Sequence, residues 1–417
     1  MKKAVIRWYL YDFANSFASV VLLFYYPLIL SDRGAADAWI GISASVATGI
    51  LLLILPYLGT YSDKTGSRLF LIRIGSFLMF ISIISLAFLL RGHSEFSAWL
   101  LVLISSLYIL FQVCFQGSYV FYSSMLRQIA GSEENAKVSG VGLALGQLGN
   151  ASALAIYGPI VALPIIILGL SGKTLPFVLG GILFALLAWP FLRQREVRFQ
   201  NLAPRFSYRR FIKDIASERR AFYFLVGYSL LSDAILTFQL YLAIYVRKVF
   251  SFSDQMVSYL AISGLVFTVI GGFLASRLAK SFHSEEKTLR LSALFYAVCF
   301  GLCALMPQAP LVVFAVIAAC GVSYSLVFSL ARTVYSKIAP IDRQGEFFSV
   351  FTVFERAASV IGPLAWLATF YLLSRFGEAV QYRGSVFFLM AICLAGIYYL
   401  KKSQRQATPA IDEKEIA

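Results

Sequence analysis

Long apolar runs alternate with short polar breaks along almost the whole chain. Twelve runs stand out, at approximately 5–30, 38–58, 69–90, 97–125, 137–168, 174–192, 221–247, 255–276, 288–306, 309–334, 346–373 and 381–400. At 1.5 Å of rise per residue, each is about long enough for a helix to cross a ~30 Å hydrocarbon core. The fifth has length to spare, and Pro159 and Pro164 near its far end predict a tilt or a kink. The expected fold class is an all-α membrane protein of twelve transmembrane helices in two pseudo-symmetric six-helix bundles.

The longest polar break divides the runs six and six. Residues 193–220 carry Arg193, Arg195, Arg198, Arg205, Arg209, Arg210, Lys213, Arg219 and Arg220, with Pro204 interrupting them. Phe206, Tyr208 and Phe211 among these charges suggest a short amphipathic segment on a membrane surface. The expected organisation is an N-terminal bundle at 1–192, a basic linker at 193–220, a C-terminal bundle at 221–400 and a tail at 401–417. The halves also look like copies. The break after the second run spaces Gly59, Asp63, Gly66 and Arg68, and Gly272, Ser276 and Ala279 repeat the first three places after the eighth run.

Composition sharpens this reading. Hydrophobic residues make up 59% of the 417 and charged residues only 14%, at a mean hydropathy of +0.77. A soluble domain averages about 45–50% apolar and about 25% charged, so a soluble enzyme is excluded. The formal net charge of +15 would suggest nucleic acid in a soluble chain. Here the basic residues concentrate in alternate breaks, in the central linker and in the tail. This is the positive-inside pattern, and it puts both termini in the cytoplasm with no nucleic-acid partner expected. Lys2 and Lys3 precede the first run, but the run is too long for a signal peptide and Asp12 and Asn15 interrupt it, so it reads as a retained helix. The five cysteines lie inside apolar runs and read as packed thiols, and His93 and His283 fall in breaks, so no metal site and no cofactor are expected.

Ionisable residues inside apolar spans are costly and face a cavity or a partner. Asp12 stands in the first run beside Asn15, and Asp233 stands in the seventh near Ser232 and Thr237. Both aspartates fall roughly half a bilayer from the inner ends of their runs by residue count. A carboxylate there can bind an amine, hold a proton or join hydroxyl and amide oxygens around sodium. It can equally pair with Arg356 and lock a conformation. Glu355 and Arg356 are neighbours in the eleventh run, so about 100° of helix separates them. Of the two, Arg356 is the expected cavity residue, able to clamp a substrate carboxylate. Arg73 and Arg332 read as snorkelling side chains, and Tyr25, Tyr26, Tyr241 and Tyr245 as an interfacial belt. Gly41, Ser45 and Gly49, Gly142 and Gly146, and Ala358 and Gly362 are spaced four apart, as at close helix crossings. A phosphate-cradling loop with a following lysine and a nucleophile–histidine set are both missing from the sequence, so neither an ATP motor nor an enzyme is expected.

The break Gly59-x-x-x-Asp63-x-x-Gly66-x-Arg68 resembles the signature loop between the second and third helices of the major facilitator superfamily. Trp8-Tyr9-Leu10-Tyr11-Asp12-Phe13-Ala14-Asn15, Val138-Ser139-Gly140-Val141-Gly142, Asp233-Ala234-Ile235-Leu236-Thr237, Glu346-Phe347-Phe348 and Arg356-Ala357-Ala358-Ser359 resemble the vacuolar-effluxer-like, autophagy-related branch of it. The chain departs from that pattern at Ala234 and at Gln147-Leu148-Gly149-Asn150. The resemblance implies a permease, in a branch associated in fungi with release of amino acids from the vacuole. It implies a gating loop of Gly59, Asp63, Gly66 and Arg68. Asp63 is expected to meet the start of the eleventh helix near Gly345, a contact that Asp342 and Glu346 nearby would weaken.

The expected function is therefore secondary transport of a small polar metabolite by alternating access. Asp12, Asn15, Asp233, Thr237 and Arg356 are the expected binding residues, for substrate or for protons or sodium. Export by a monomer in a bacterial plasma membrane is the leading form. Multidrug, siderophore or lipid-like efflux is the alternative within transport, and a non-transporting sensor or scaffold is the alternative outside it.

Overall fold

Each of the twelve apolar runs folds as a helix in the computed structural model, which describes residues 2–32, 37–91, 96–163, 166–167, 169–195 and 218–406. Helix α1 (Lys2–Val20) continues through a π-helical stretch (Val21–Tyr25) into α2 (Tyr26–Asp32) as the first span. The others are α3 (Asp37–Thr65), α4 (Arg68–Leu89), α5 (Ala98–Ser124), α6 (Leu126–Ala162), α7 (Leu175–Leu192), α8 (Arg219–Phe250), α9 (Asp254–Ser281), α10 (Glu285–Leu305), α11 (Pro310–Ile338), α12 (Gln344–Leu372) and α13 (Glu378–Arg405). Among the described residues, ten helices are long and apolar enough to cross a membrane by length and composition. The chain is an all-α membrane protein. Most of the basic linker, His93 and the end of the tail lie outside the described residues.

Two helices end where local chemistry dictates rather than where hydropathy fades. The second apolar run stops near 58, but α3 continues to Thr65. A lone glycine such as Gly59 does not stop a helix, and Gly66, at φ +65°, is the first residue that does. Asp63 therefore rides on the last turn of α3 rather than in a loop. At the other extreme, α6 stops at Ala162, short of the expected 168. Leu163 turns to ψ 141° because the proline after it clashes with a helical conformation at the preceding residue. A two-residue hairpin follows, pairing Ile166 with Ser171 and Ile167 with Leu170. Near its start α6 is broken at Gly131, whose φ of +71° separates the first turns from the span proper.

The chain divides into two compact units. The first comprises Met1–Pro204, Leu265–Arg277 and Pro340–Val353, and the second Arg205–Gly264, Leu278–Ala339 and Phe354–Ala417. In the first, Trp8 stacks on Tyr122 at 4.1 Å and donates its indole N–H to the Tyr122 carbonyl at 3.1 Å. Tyr11 shares a hydrogen bond with Ser76 at 2.9 Å, and Tyr157 donates to the Phe17 carbonyl at 2.9 Å. These bonds fix α1 against α4, α5 and α6 and satisfy polar tips that burial would otherwise strand. In the second unit, Tyr245 donates to the Cys303 carbonyl, Tyr241 stacks on Trp366 at 4.7 Å, and Gly227 and Gly396 let α8 and α13 touch. Tyr25, Tyr26 and Tyr245 are thus core residues rather than the interfacial belt expected of them. Exposed apolar side chains include Leu23 at 68%, Leu186 at 66% and Leu240 at 63%. An apolar exterior of this kind fits a lipid environment.

Arg73 is not a snorkelling residue. Its guanidinium donates to the Leu192 carbonyl at 2.7 Å and to the Gln194 carbonyl at 2.5 Å, capping the end of α7 within the first unit. Arg332 is buried on α11.

Candidate functional site

The end of α3 meets the beginning of α12 inside the first unit. A helix N-terminus exposes amide hydrogens that no intrahelical carbonyl can take, and it carries partial positive charge. Asp63 supplies both oxygens to that end. Oδ1 accepts the Gly345 N–H at 2.9 Å, and Oδ2 accepts the Glu346 N–H at 2.8 Å. Arg68, at the start of α4, donates to Oδ1 at 2.5 Å and to the Ser124 carbonyl at 3.5 Å. The carboxylate is nearly sealed, with 1% of the Asp63 side chain and 8% of the Arg68 side chain exposed. Glu346 would repel Asp63 were it not clasped by Arg343, whose Nε and Nη2 meet the two Glu346 oxygens at 2.9 and 2.8 Å.

Two glycines make this contact sterically possible. A methyl group on Gly59 would meet Ser349 Oγ and lie 2.7 Å from the Gly345 carbonyl oxygen. One on Gly345 would meet Ser62 Oγ and lie 2.7 Å from Asp63 Oδ1. A second glycine crossing lies in the same unit between α6 and α9. A methyl on Gly272 would lie 2.6 Å from the Gly140 carbonyl oxygen and 2.7 Å from the Ala144 Cβ. Gly142 and Gly146, singled out by their spacing, have other work: the first takes the Trp8 ring and the second takes Asp12.

Asp12 and Asp233 have matching surroundings, each within its own unit. Both open the pattern Asp-x-x-x-(Ser/Thr)-Phe, as Asp12, Ser16 and Phe17 on α1 and as Asp233, Thr237 and Phe238 on α8. Four residues is about one helical turn, so carboxylate and hydroxyl share a face. Each face lies against a glycine on the fifth long helix of its half. Around Gly146 on α6, an added methyl would lie 3.3 Å from Asp12 Oδ1, and Ser16 Oγ donates to the Gly146 carbonyl at 2.7 Å. Around Gly362 on α12, the amide N–H donates to Asp233 Oδ1 at 2.8 Å, and an added methyl would meet Thr237 Oγ1. Asp12, Asn15, Asp233 and Thr237 are all buried. The Oδ1 of Asn15 and the Oγ1 of Thr237 find no hydrogen-bond partner among the described residues.

Arg356 lies 3.7 Å from the carboxylate of its neighbour Glu355 on α12. Glu355 also accepts from Tyr228 Oη at 2.5 Å, and Ser229 donates to the Phe354 carbonyl at 3.0 Å, so α8 grips α12 there within the second unit. Gln147 and Asn150 face one another along α6 at 3.4 Å.

Sequence reading missed the pairing of each aspartate with a glycine and the hydroxyl one turn on. The signal was present as the repeated Asp-x-x-x-(Ser/Thr)-Phe, but the first copy carries Asn15 and the second Leu236 between its ends. It missed the Gly140–Gly272 crossing because Gly142 and Gly146 offered the commoner four-residue spacing. Tyr228 gave no signal in an aromatic-rich chain.

The family model of the Major Facilitator Superfamily matches residues 13–363. The chain is 24% identical to the uncharacterized MFS-type transporter YxiO of Bacillus subtilis, over 98% of this chain and 96% of that one. It is 27% identical to autophagy-related protein 22-1 of Phaeosphaeria nodorum over 181 residues, 39% of this chain and 32% of that protein. Among solved structures it is similar to a bacterial homologue of the iron transporter ferroportin in an outward-facing state. That likeness has a TM-score of 0.78 at 15% identity and covers 97% of this chain and all of that one. The human organic anion transporter MFSD10 (TETRAN) matches with a TM-score of 0.75 at 13% identity, covering 96% and 99%. Twelve helical spans among the described residues, a carboxylate seated on the start of α12 and a family match from Phe13 to Pro363 converge on one conclusion: the chain belongs to the major facilitator superfamily.

Proposed function

We propose that this transporter moves a small polar metabolite, an amino acid or a molecule of similar size and charge, by alternating access coupled to an ion gradient and in the outward direction. The observation that carries the reading is the matched pair of buried carboxylates, Asp12 against Gly146 and Asp233 against Gly362. Buried charge is too costly to keep in a membrane helix without use, and repeat-built transporters hold their ligands at corresponding places in the two halves. Arg356, about one-third exposed at its side chain, is suited to a substrate carboxylate.

The Asp63 contact serves in this reading as the inner latch. Gly59, Gly66 and Arg68 let α3, its turn and α4 present that carboxylate to the amides of α12. Seated, the latch holds one conformation, and release permits the other. In this reading the membrane is a bacterial plasma membrane, and the concentration of basic residues in alternate breaks supports an orientation with both termini cytoplasmic.

The test is uptake and counterflow in proteoliposomes across an amino-acid and organic-acid panel, with and without imposed proton or sodium gradients. Coupled flux that falls at least about tenfold in both Asp12→Asn and Asp233→Asn, the equivalent of about 1.4 kcal/mol, is expected. Full coupled flux in both variants would remove the two aspartates from the site.

A further inference from the structure

We infer that Asp233, Thr237 and the α12 backbone around Gly362–Pro363 form a sodium site in the second unit.

Asp233 is 1% exposed, its described hydrogen bond is the one to the Gly362 amide, and no described cation pairs with it. A buried carboxylate with one neutral donor lacks the compensation that burial demands, so it must take up a proton or a cation. The surrounding oxygens select the cation. Thr237 Oγ1, 2% exposed, sits one turn along α8 on the same face and makes no hydrogen bond with a described residue. Across from it Pro363 has no amide hydrogen to give the carbonyl at 359, and Gly362 donates its own to Asp233. Two successive rungs of the α12 ladder are therefore weakened beside the carboxylate. A carboxylate, a hydroxyl and loosened backbone carbonyls are the hard oxygen donors that sodium takes in interrupted membrane helices. Gly362 leaves the space: any side chain there would lie 2.6 Å from Asp233 Oδ1.

The first unit supplies a natural control. Ser16 holds the place that Thr237 holds, but its hydrogen is already given to the Gly146 carbonyl at 2.7 Å, and α6 has no proline next to Gly146. The oxygen set is complete in the second unit and closed in the first.

The inference rests on the transport reading for its purpose and not for its existence, so the test measures binding first. Purified full-length protein in detergent is moved from choline chloride to sodium chloride at equal ionic strength, and its apparent melting temperature is followed. A rise of about 3–5 °C at about 100 mM sodium is expected, as saturating ligand gives a protein of this size. Thr237→Val and Asp233→Asn remove the rise, whereas Thr237→Ser and Asp12→Asn keep it. Should Asp233→Asn fail to fold, the Thr237 pair carries the decision. No sodium-specific rise in the unsubstituted protein, an equal rise with potassium, or a rise that persists in Thr237→Val overturns the site. Metabolite flux without the sodium response would strike the ion site and spare the transporter. A sodium response without flux of any metabolite tested would do the reverse.

Discussion

Asp63 and Gly345 stand 282 positions apart in the chain, and the carboxylate of the one accepts the backbone N–H of the other at 2.9 Å. The bond is one of three on the same carboxylate, and Arg68 has its own charge balanced there. Asp63→Ala strands a buried guanidinium and two amide hydrogens. Breaking a buried pair from one side costs about 3–5 kcal/mol, so the apparent melting temperature and the transport rate should both drop sharply. Asp63→Asn keeps one acceptor oxygen and loses less. Thermal unfolding of the two variants side by side checks the order, and equal stability of all three proteins would show that the latch holds nothing.

The glycines of α6 and α9 are not equivalent, and alanine sorts them. At Gly272 a methyl would lie 2.6 Å from a backbone oxygen of α6, which cannot rotate away. Overpacking of this kind costs about 1–3 kcal/mol. At Gly158, also on α6, a methyl meets nothing within 4 Å. Removing a glycine from an open helical position gains about 0.5–1 kcal/mol. Gly272→Ala should therefore lower the melting temperature and Gly158→Ala raise it. Opposite signs in one denaturation series are the expected result.

Hydrophobic length marked every span because each helix must cover the same ~30 Å, and one long apolar run per crossing leaves no ambiguity. Ends were harder to read. α3 outran its apolar run by about two turns, since Asp63 and Lys64 are polar yet helical, and only Gly66 stops the backbone. The costly ions were legible as candidates from their isolation among apolar neighbours. Their partners were not, because the four-residue spacing marks Gly146 and Gly362 as packing glycines without saying which side chain each one admits. Arg73 was misread for a related reason. Sequence shows a cation near a helix end, but its carbonyl partners, on the last residue of α7 and just beyond it, lie 119 and 121 positions away.

Tyr228 and Glu355 join α8 to α12 through a single short hydrogen bond of 2.5 Å between hydroxyl and carboxylate. Hydrogen bonds to charged groups contribute about 1.5–3 kcal/mol, and a contacting pair should show coupling of about the same size. Tyr228→Phe and Glu355→Gln, alone and combined, form the cycle. The double variant should be clearly more stable than the sum of the two losses implies. Simple additivity within about 0.5 kcal/mol would mean that the two residues act separately.

Ser16 and Thr237 occupy equivalent turns of α1 and α8, so their truncation is the sharpest comparison the repeat allows. Ser16 Oγ donates to the Gly146 carbonyl at 2.7 Å, a bond between two helices within a buried layer. Ser16→Ala leaves that carbonyl with one partner fewer and should cost about 0.5–1.5 kcal/mol in any salt. Thr237 Oγ1 has no such bond to a described residue to lose. In sodium-free buffer Thr237→Val exchanges an unsatisfied hydroxyl for a methyl of nearly the same shape, so the change should be close to neutral or stabilising. In sodium the sign reverses, because the wild-type hydroxyl then has an ion to bind and the valine has none. Melting curves of both variants in choline and in sodium buffers give four numbers. The expected pattern is a salt-independent loss at position 16 and a loss at position 237 that appears only with sodium.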